Sequence, residues 1–470
     1  LNPPSPSAGL QPDKLDSRRT RLGIVAVLAL IILSLIRAFG GPGWLALPTA
    51  LAALLLIAAG FPRINGKLRA TSLLLSAAGL AALPFARDPI SALQRGVFIA
   101  GLLLSVTSSV MLIARSAVQS HRIGFIGSCL RERQGRARYL AFTLASQFFS
   151  GILGLAGANL MFVMAAPTNE GRSETRTATV VAVGRGFAAA SCWSPIFGNM
   201  AILLALYPSL HWIEVFPTGL ALGQMILIVG VLMQPNRQAG EMTAGEAQAP
   251  TPTGVILRSA LPLMVSLLGF LGLLIATSRL LNIIISAAII LLAPWVALLA
   301  NSFMASAAPG QSRLRLGALQ VWQGMQRFPN LASEALLFIA AGCAGSIMAS
   351  AFPASWIAAI GGVLSGHALL GIAFLLLVIL GTAVIGIHPV LSAVFLASSL
   401  TPEVLAVPPL VHMAAILAGW GLSASVTPFS VVSLTASRYA GESLYAISMG
   451  RNWRFAVVNV GVACLVLAWA

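Results

Sequence analysis

Apolar runs of about 20 residues, the length that crosses a bilayer core, recur along the chain. They lie at 22–39, 44–61, 70–86, 96–114, 215–233, 258–277, 281–300, 333–352 and 453–469. Each predicts a membrane-spanning helix. Basic residues fall between the runs in a regular order. Arg18, Arg19 and Arg21 precede the first run, Arg63, Lys67 and Arg69 follow the second, and Arg115, Arg122, Arg131, Arg133, Arg136 and Arg138 follow the fourth. An even number of crossings separates these clusters, so they share one side, which the positive-inside rule makes the cytoplasm. The Pro/Ser-rich segment 1–21 reads as a disordered cytoplasmic tail and not as a cleaved signal.

Four apolar stretches do not read as simple spans. Residues 138–166, "RYLAFTLASQFFSGILGLAGANLMFVMAA", are too long for one crossing and too short for two. Arginine-bearing loops bound them on both sides, so they predict a re-entrant hairpin with its tip at Ala156 to Asn159. Residues 177–207 carry "SCWSPIFGN" at their centre, where Pro195 and Gly198 interrupt the helix ladder. Residues 368–400, with "LGTAVIGIHPVLSAVFLASSL", predict a second hairpin broken at Gly386, His388 and Pro389. Residues 409–440, with "GWGLSASVTPFSVVSL", predict a second broken helix. Setting Pro195 on Pro428 also pairs Ser194 with Thr427 and Gly186 with Gly419, and the two hairpin breaks likewise line up, in a register of their own, as "GAN" at 157–159 against "GIH" at 386–388.

This order, hairpin then broken helix, occurs once in each half of the chain. Four spans precede the first hairpin, and the spans from 215 to 352 bring the chain to the opposite side before the second. The repeats are therefore inverted, an arrangement that places discontinuous helices at the membrane midplane of secondary transporters. The expected fold is an all-α polytopic membrane protein of about 11 transmembrane segments, with two inverted repeats that each hold a re-entrant hairpin and a discontinuous helix. Its expected parts follow the 1–21 tail: 22–137, scaffold helices and an interfacial segment; 138–233, the first hairpin, broken helix and following span; 234–254, a polar linker; 255–352, a second scaffold; and 353–470, the second hairpin, broken helix and last span.

Composition agrees with the pattern. Of 470 residues 58% are hydrophobic and 9% charged, and mean hydropathy is +0.92. A net charge of +16 would suit nucleic acid, but the basic residues are scattered between apolar runs and read as topogenic charge, so no nucleic-acid partner is expected. The four cysteines form no CxxC and no Cys/His cluster, which predicts neither a disulfide framework nor a metal site. No GxxxxGK[ST], HExxH or GxSxG occurs, so neither nucleotide-driven pumping nor an enzyme is expected and no cofactor is implied. Residues 310–330, with Arg313, Arg315 and Arg327 among Leu, Val and Trp, read as an amphipathic helix on the membrane surface or as a plain basic loop. Residues 115–137 read the same way.

Candidate chemistry sits at the breaks. Half-helices that start at the midplane aim positive N-terminal ends into the cavity, which suits a small anion. Ser194, Pro195, Asn199, Ser425, Thr427, Pro428 and Ser430 would line it, with Ser191 and Ser423 beside them, although Ser and Thr also serve close helix packing. Arg185 would neutralise the anion or pair with a carbonyl. His388 at the second tip would titrate or cap a helix. His412 and Glu334 lie nearer segment ends. Unwound carbonyls near Asn159 and Ser194 would hold a coupling cation.

The order of elements, with "GANLMF", "SCWSPIFGN", "GIHPVLS" and "SASVTPFSVVS" at the two tips and two breaks, resembles the ion transporter superfamily, and within it the divalent anion/sodium symporter family. The resemblance covers about 138–450. It implies Asn159 and His388 as tip residues, Ser194-Pro195 and Thr427-Pro428 as helix breaks, a homodimer, and an elevator mechanism with 44–114 and 258–350 as scaffold. Both tips depart from that family by lacking its Ser-Asn-Thr signature. The expected function is secondary active transport of an organic carboxylate or sulfonate in a bacterial inner membrane, coupled to H+ or Na+, with membrane lipids as surroundings. The alternatives are a permease subunit fed by a soluble binding protein and a membrane-embedded enzyme on lipid-linked substrates.

Overall fold

The computed structural model describes residues 17–64, 66–118, 121–166, 173–234, 251–304 and 311–469, without the side chains of 67, 114–124 and 267. Residues 1–16 of the expected tail, most of the 234–254 linker and part of the loop after the first hairpin lie outside the described residues, while 17–21, expected as disordered tail, are the first turns of a helix. Helix is the only regular structure among those described. In chain order the helices are α1 (Ser17–Ala38), α2 (Ala46–Gly60), α3 (Gly66–Ala82), α4 (Pro89–Val118), α5 (His121–Arg131), α6 (Gly135–Leu153) and α7 (Leu155–Ala165). They continue as α8 (Glu174–Ser191), α9 (Gly198–Leu206), α10 (Trp212–Leu232), α11 (Thr253–Leu281), α12 (Ile285–Met304), α13 (Arg313–Met325) and α14 (Ala332–Ala351). The last are α15 (Ala354–Leu364), α16 (Ala368–Val384), α17 (Pro389–Ser399), α18 (Pro402–Leu405), α19 (Pro409–Val426), α20 (Val431–Ala440) and α21 (Arg451–Ala468).

Among the described residues, 10 helical stretches are long and apolar enough to cross a membrane. Each of the nine runs read from the sequence overlaps one of them, and the tenth is the broken helix Pro409–Ala440. The run expected at 258–277 extends over Thr253–Leu281. Asn282, left-handed at φ 51°, then ends α11 and moves the start of the next helix from the expected 281 to Ile285. Prolines inside α10, α11 and α12 (Pro217, Pro262 and Pro294) leave those helices continuous, as neighbouring helices in a membrane allow.

Side-chain contacts fix which helix ends share a face. Gly23 of α1 lies against Pro329, and Arg63, after α2, donates to Asn330 Oδ1 at 2.6 Å. Gly324 of α13 meets Leu112 of α4. Arg131 donates to the Met164 carbonyl, Arg133 to that of Thr251, and Arg136 to that of Gln234. The starts of α1, α6, α8, α11, α14 and α21 and the ends of α2, α4, α7, α10, α12 and α20 therefore share one arginine-rich face. On the opposite face Arg87 donates to the Phe352 carbonyl at 2.7 Å and Tyr207 meets His412.

Helix α13 runs along the basic face. Its Gly317 lies against Ser302 and Leu298 near the end of α12, while Arg313, Leu314, Arg315, Leu319 and Trp322 are exposed. The 310–330 segment is thus a helix with a mixed apolar and basic outer surface, and α5 is a second short helix on this face. Glu132, at the end of α5, accepts from the amide and hydroxyl of Thr251. Those bonds hold its carboxyl below the usual carboxylate range.

Candidate functional site

Two hairpins and two broken helices meet in the interior. Helices α6 and α7 form the first hairpin and α16 and α17 the second. The turn of the first is Gly154, with φ 58° and ψ −135°, a conformation that a side chain disfavours strongly. The turn of the second is Gly386 at φ 98°. The first tip therefore lies at Gly154 and not at Ala156 to Asn159. Asn159 sits in the second turn of α7 with its side chain exposed. The pairing of "GAN" with "GIH" is replaced by Gly154 with Gly386.

Helices α8 and α9 form one discontinuous span, and α19 and α20 the other. The break hydroxyls do the same work in both. Ser194 Oγ donates to the Gly151 carbonyl and accepts from the Ile196 amide at 3.2 Å. Thr427 Oγ1 donates to the Ala383 carbonyl at 2.6 Å and accepts from the Phe429 amide at 3.2 Å. Each receiving carbonyl lies three residues before its hairpin glycine. One hydroxyl per repeat thus ties an unwound helix to the hairpin beside it and caps backbone that Pro195 or Pro428 leaves unpaired. Close packing follows the same symmetry. A Cβ at Gly186 would lie 2.4 Å from the Thr143 carbonyl of α6, and one at Gly419 would lie 3.4 Å from Leu376 of α16.

The repeats are inverted. The first turn of α8 and the end of α20 meet at the basic face, where Arg176 Nε donates to the Tyr439 carbonyl at 2.8 Å and Thr177 to Glu442 at 2.8 Å. The first turn of α19 and the end of α9 meet at the opposite face, through Tyr207 and His412. The two broken helices cross at their inner ends. A Cβ at Gly421 would lie 2.6 Å from Ser191 Oγ and 2.8 Å from the Ala188 carbonyl.

Four half-helices, α7, α9, α17 and α20, begin in this interior, each with an amino end worth about half a positive charge. Asn199 caps locally, its amide donating to the Ser191 carbonyl and its oxygen accepting from Met200. Ser430 accepts from the Ser433 amide and donates to the Ala424 carbonyl at 2.6 Å. His388 is the N-cap of α17: its Nδ1 accepts from the Val390 amide at 3.2 Å, and its ring lies edge-on to Phe338 of α14. Ser425 donates to the Leu422 carbonyl of its own helix.

Arg185 stands apart from the break residues. It is 7% exposed and donates to Asn452 Oδ1 at 2.8 Å, Tyr139 OH at 3.0 Å and the Arg451 carbonyl at 2.9 Å. Its guanidinium stacks 4.1 Å above the Phe455 ring. Of its two sequence readings, anion neutraliser and carbonyl partner, the geometry displays the second. Asn452 and Tyr139 were missed in the sequence, where Asn452 precedes an unbroken span and Tyr139 lies at the start of the first hairpin run, far from its expected tip.

At the mouth of the first hairpin on the basic face a cavity of about 370 Å³ is lined by Arg131, Arg138, Arg176, Glu132, Ser173 and Thr179, among others. Among the described residues no group of three or more His, Cys, Asp or Glu side chains is placed to hold a metal ion.

Fold and interior define a class: a helical membrane protein built on a transporter fold. The YdaH transporter of Alcanivorax borkumensis, whose crystal structure is described as having an unusual topology, shares this fold. It matches with a TM-score of 0.53 at 14% sequence identity, covering 86% of this chain and 97% of that one. No protein-family model and no curated protein sequence matches the chain.

Proposed function

We propose that the chain is a secondary active transporter of a small anion, an organic carboxylate or sulfonate, working by an elevator mechanism. The observation that carries this reading is the inverted pair of hairpin and broken helix, with four half-helix amino ends converging in the interior. In the hydrocarbon region irregular backbone is tolerated where protein buries it or where it lines a cavity. Amino ends attract negative charge without a charged side chain that would cost desolvation. Arg185, the one buried arginine of the broken helices, is taken up by neutral partners, so neutralisation of the anion falls to the helix ends and to the break amides. The arginine-lined cavity supports the same substrate sign, because a cationic mouth raises the local anion concentration.

In this reading the breaks and hairpins, as in the divalent anion/sodium symporter family, form a transport unit. It slides against α1–α4 and α11–α14 as scaffold in a homodimer, coupled to H+ or Na+. The arginine-rich face is cytoplasmic in a bacterial inner membrane. Purified protein in proteoliposomes is offered radiolabelled mono- and dicarboxylates and sulfonates under an imposed pH or sodium gradient. At least one anion accumulates above protein-free vesicles, and collapsing the coupling gradient with an ionophore abolishes the accumulation. Entry of no anion in the panel, or uptake indifferent to both gradients, contradicts the proposal.

A further inference from the structure

Arg185 does not act alone. Asn452 receives its Nε through Oδ1 and passes two hydrogen bonds onward, from Nδ2 to the Ser425 carbonyl at 3.1 Å and to the Ile447 carbonyl at 2.9 Å. The amide orientation is fixed, since a guanidinium only donates and the two carbonyls only accept. Ser425 is the penultimate residue of α19, at the carboxyl end that precedes the second break. That end carries about half a negative charge. A guanidinium polarises the amide that bridges to it, and the bridge strengthens in the low-dielectric interior.

The first repeat lacks this arrangement. With the register that sets Ser194 on Thr427, Ser425 corresponds to Cys192 and Asn452 to Gly219. A Cβ at Gly219 would lie 2.2 Å from the Cys192 carbonyl, so the following span approaches there by backbone alone. At the second break a buried cation stands behind the bridging amide; at the first the following span supplies a neutral donor alone, Trp212 Nε1 to the Trp193 carbonyl at 2.9 Å.

We infer that Arg185 and Asn452 form a strut that positions the unwound end of the second broken helix and has no charged counterpart at the first. Both are positioning residues: they act through the Ser425 carbonyl and leave the ligand to the break itself. The strut makes the two breaks mechanically unequal, the second held from α21 and α8 by a relay that ends on a cation and the first by the neutral Trp212 contact. For its consequence in transport the inference rests on the function proposed above; for its test it does not.

The test is hydrogen exchange by mass spectrometry on the full chain in detergent micelles, without substrate. Asn452→Asp keeps an acceptor for Arg185 but removes both donors, so it leaves the guanidinium anchored and cuts the relay. Exchange over 423–433 is expected to rise by about fivefold, the factor that one lost neutral hydrogen bond puts on a local opening equilibrium. Exchange over 190–199 is expected to stay at the wild-type rate. A purely structural Arg185 anchor predicts no local change in this variant, because the guanidinium keeps its partner. Unchanged exchange at 423–433, or equal acceleration at both breaks, overturns the strut. If the Asp variant does not purify, Asn452→Ala is compared with Tyr139→Phe, which loosens Arg185 and leaves the relay: faster exchange over 423–433 in the first alone supports the strut, and equal acceleration in both overturns it. Absence of wild-type uptake in proteoliposomes overturns the function and not the strut, so the two failures are distinguishable.

Discussion

Ser194 and Thr427 hold the two halves of the interior to one plan. Each accepts from the amide two residues on and donates to a hairpin carbonyl, so each removes unpaired backbone polarity at its break. Replacing Thr427 with Val keeps the shape and deletes the hydroxyl, which strands the Phe429 amide and cuts the tie to the Ala383 carbonyl, itself still bonded by the Gly386 amide. The expected cost is about 1–3 kcal/mol, the penalty for a buried group left without its partner, seen as a lower thermal midpoint in detergent; Thr427→Ser stays near wild type. A Val variant as stable as the native chain would show that the tie contributes nothing. These two positions were legible because a hydroxyl next to proline inside an apolar run has few structural explanations. The first hairpin tip was not. Gly151, Gly154 and Gly157 are equivalent candidates in sequence, and the choice of Gly154 is made by a backbone dihedral that no side-chain pattern encodes. Arg185 was visible as a buried cation, yet its partners come from α6 and α21, which lie far away along the chain.

Among elements, the half-helices are pinned at their outer ends by contacts that cross the repeats. At the face opposite the basic one, His412 Nε2 meets the Leu400 carbonyl at 2.7 Å. A carbonyl only accepts, so in the neutral ring Nδ1 is the acceptor for Tyr207 OH. The pair ties the end of α9 to the start of α19 and to the base of the second hairpin. Tyr207→Phe removes the donor and leaves a buried imidazole nitrogen unpaired. The expected result is a loss of about 1–3 kcal/mol and faster exchange confined to 203–212 and 400–413, measured by hydrogen exchange on the full chain. Uniform acceleration throughout the protein would contradict a local pin. Span positions were legible because each span must be apolar for its whole length. The cross-repeat pins were not, since they join isolated polar residues at helix ends that look like ordinary interfacial side chains.

At the scale of the whole molecule, the inverted order of hairpin and broken helix was readable from run lengths and basic loops. The helices that the proposed elevator assigns to transport unit and scaffold touch where small residues allow close approach. Gly198 of α9 meets Leu103 of α4, and Gly345 of α14 meets Leu391 and Val394 of α17. Around these glycines Leu103 of α4 and Leu337 of α14 pack with Ile202 of α9 and Val390 of α17 in one buried apolar cluster, a non-directional contact across which the proposed elevator would slide. A Cβ at Gly345 would lie 3.1 Å from Val394 Cβ, close to the separation of about 3.8 Å that a disulfide spans. The most direct measurement pairs Gly345→Cys with Val394→Cys in a background without Cys129, Cys192, Cys343 and Cys464, and follows uptake of a transported anion into proteoliposomes. An elevator predicts that oxidising the pair stops uptake and that reduction restores it. Full cross-linking with undiminished uptake would mean that the two bodies do not move past one another, and would contradict the mechanism.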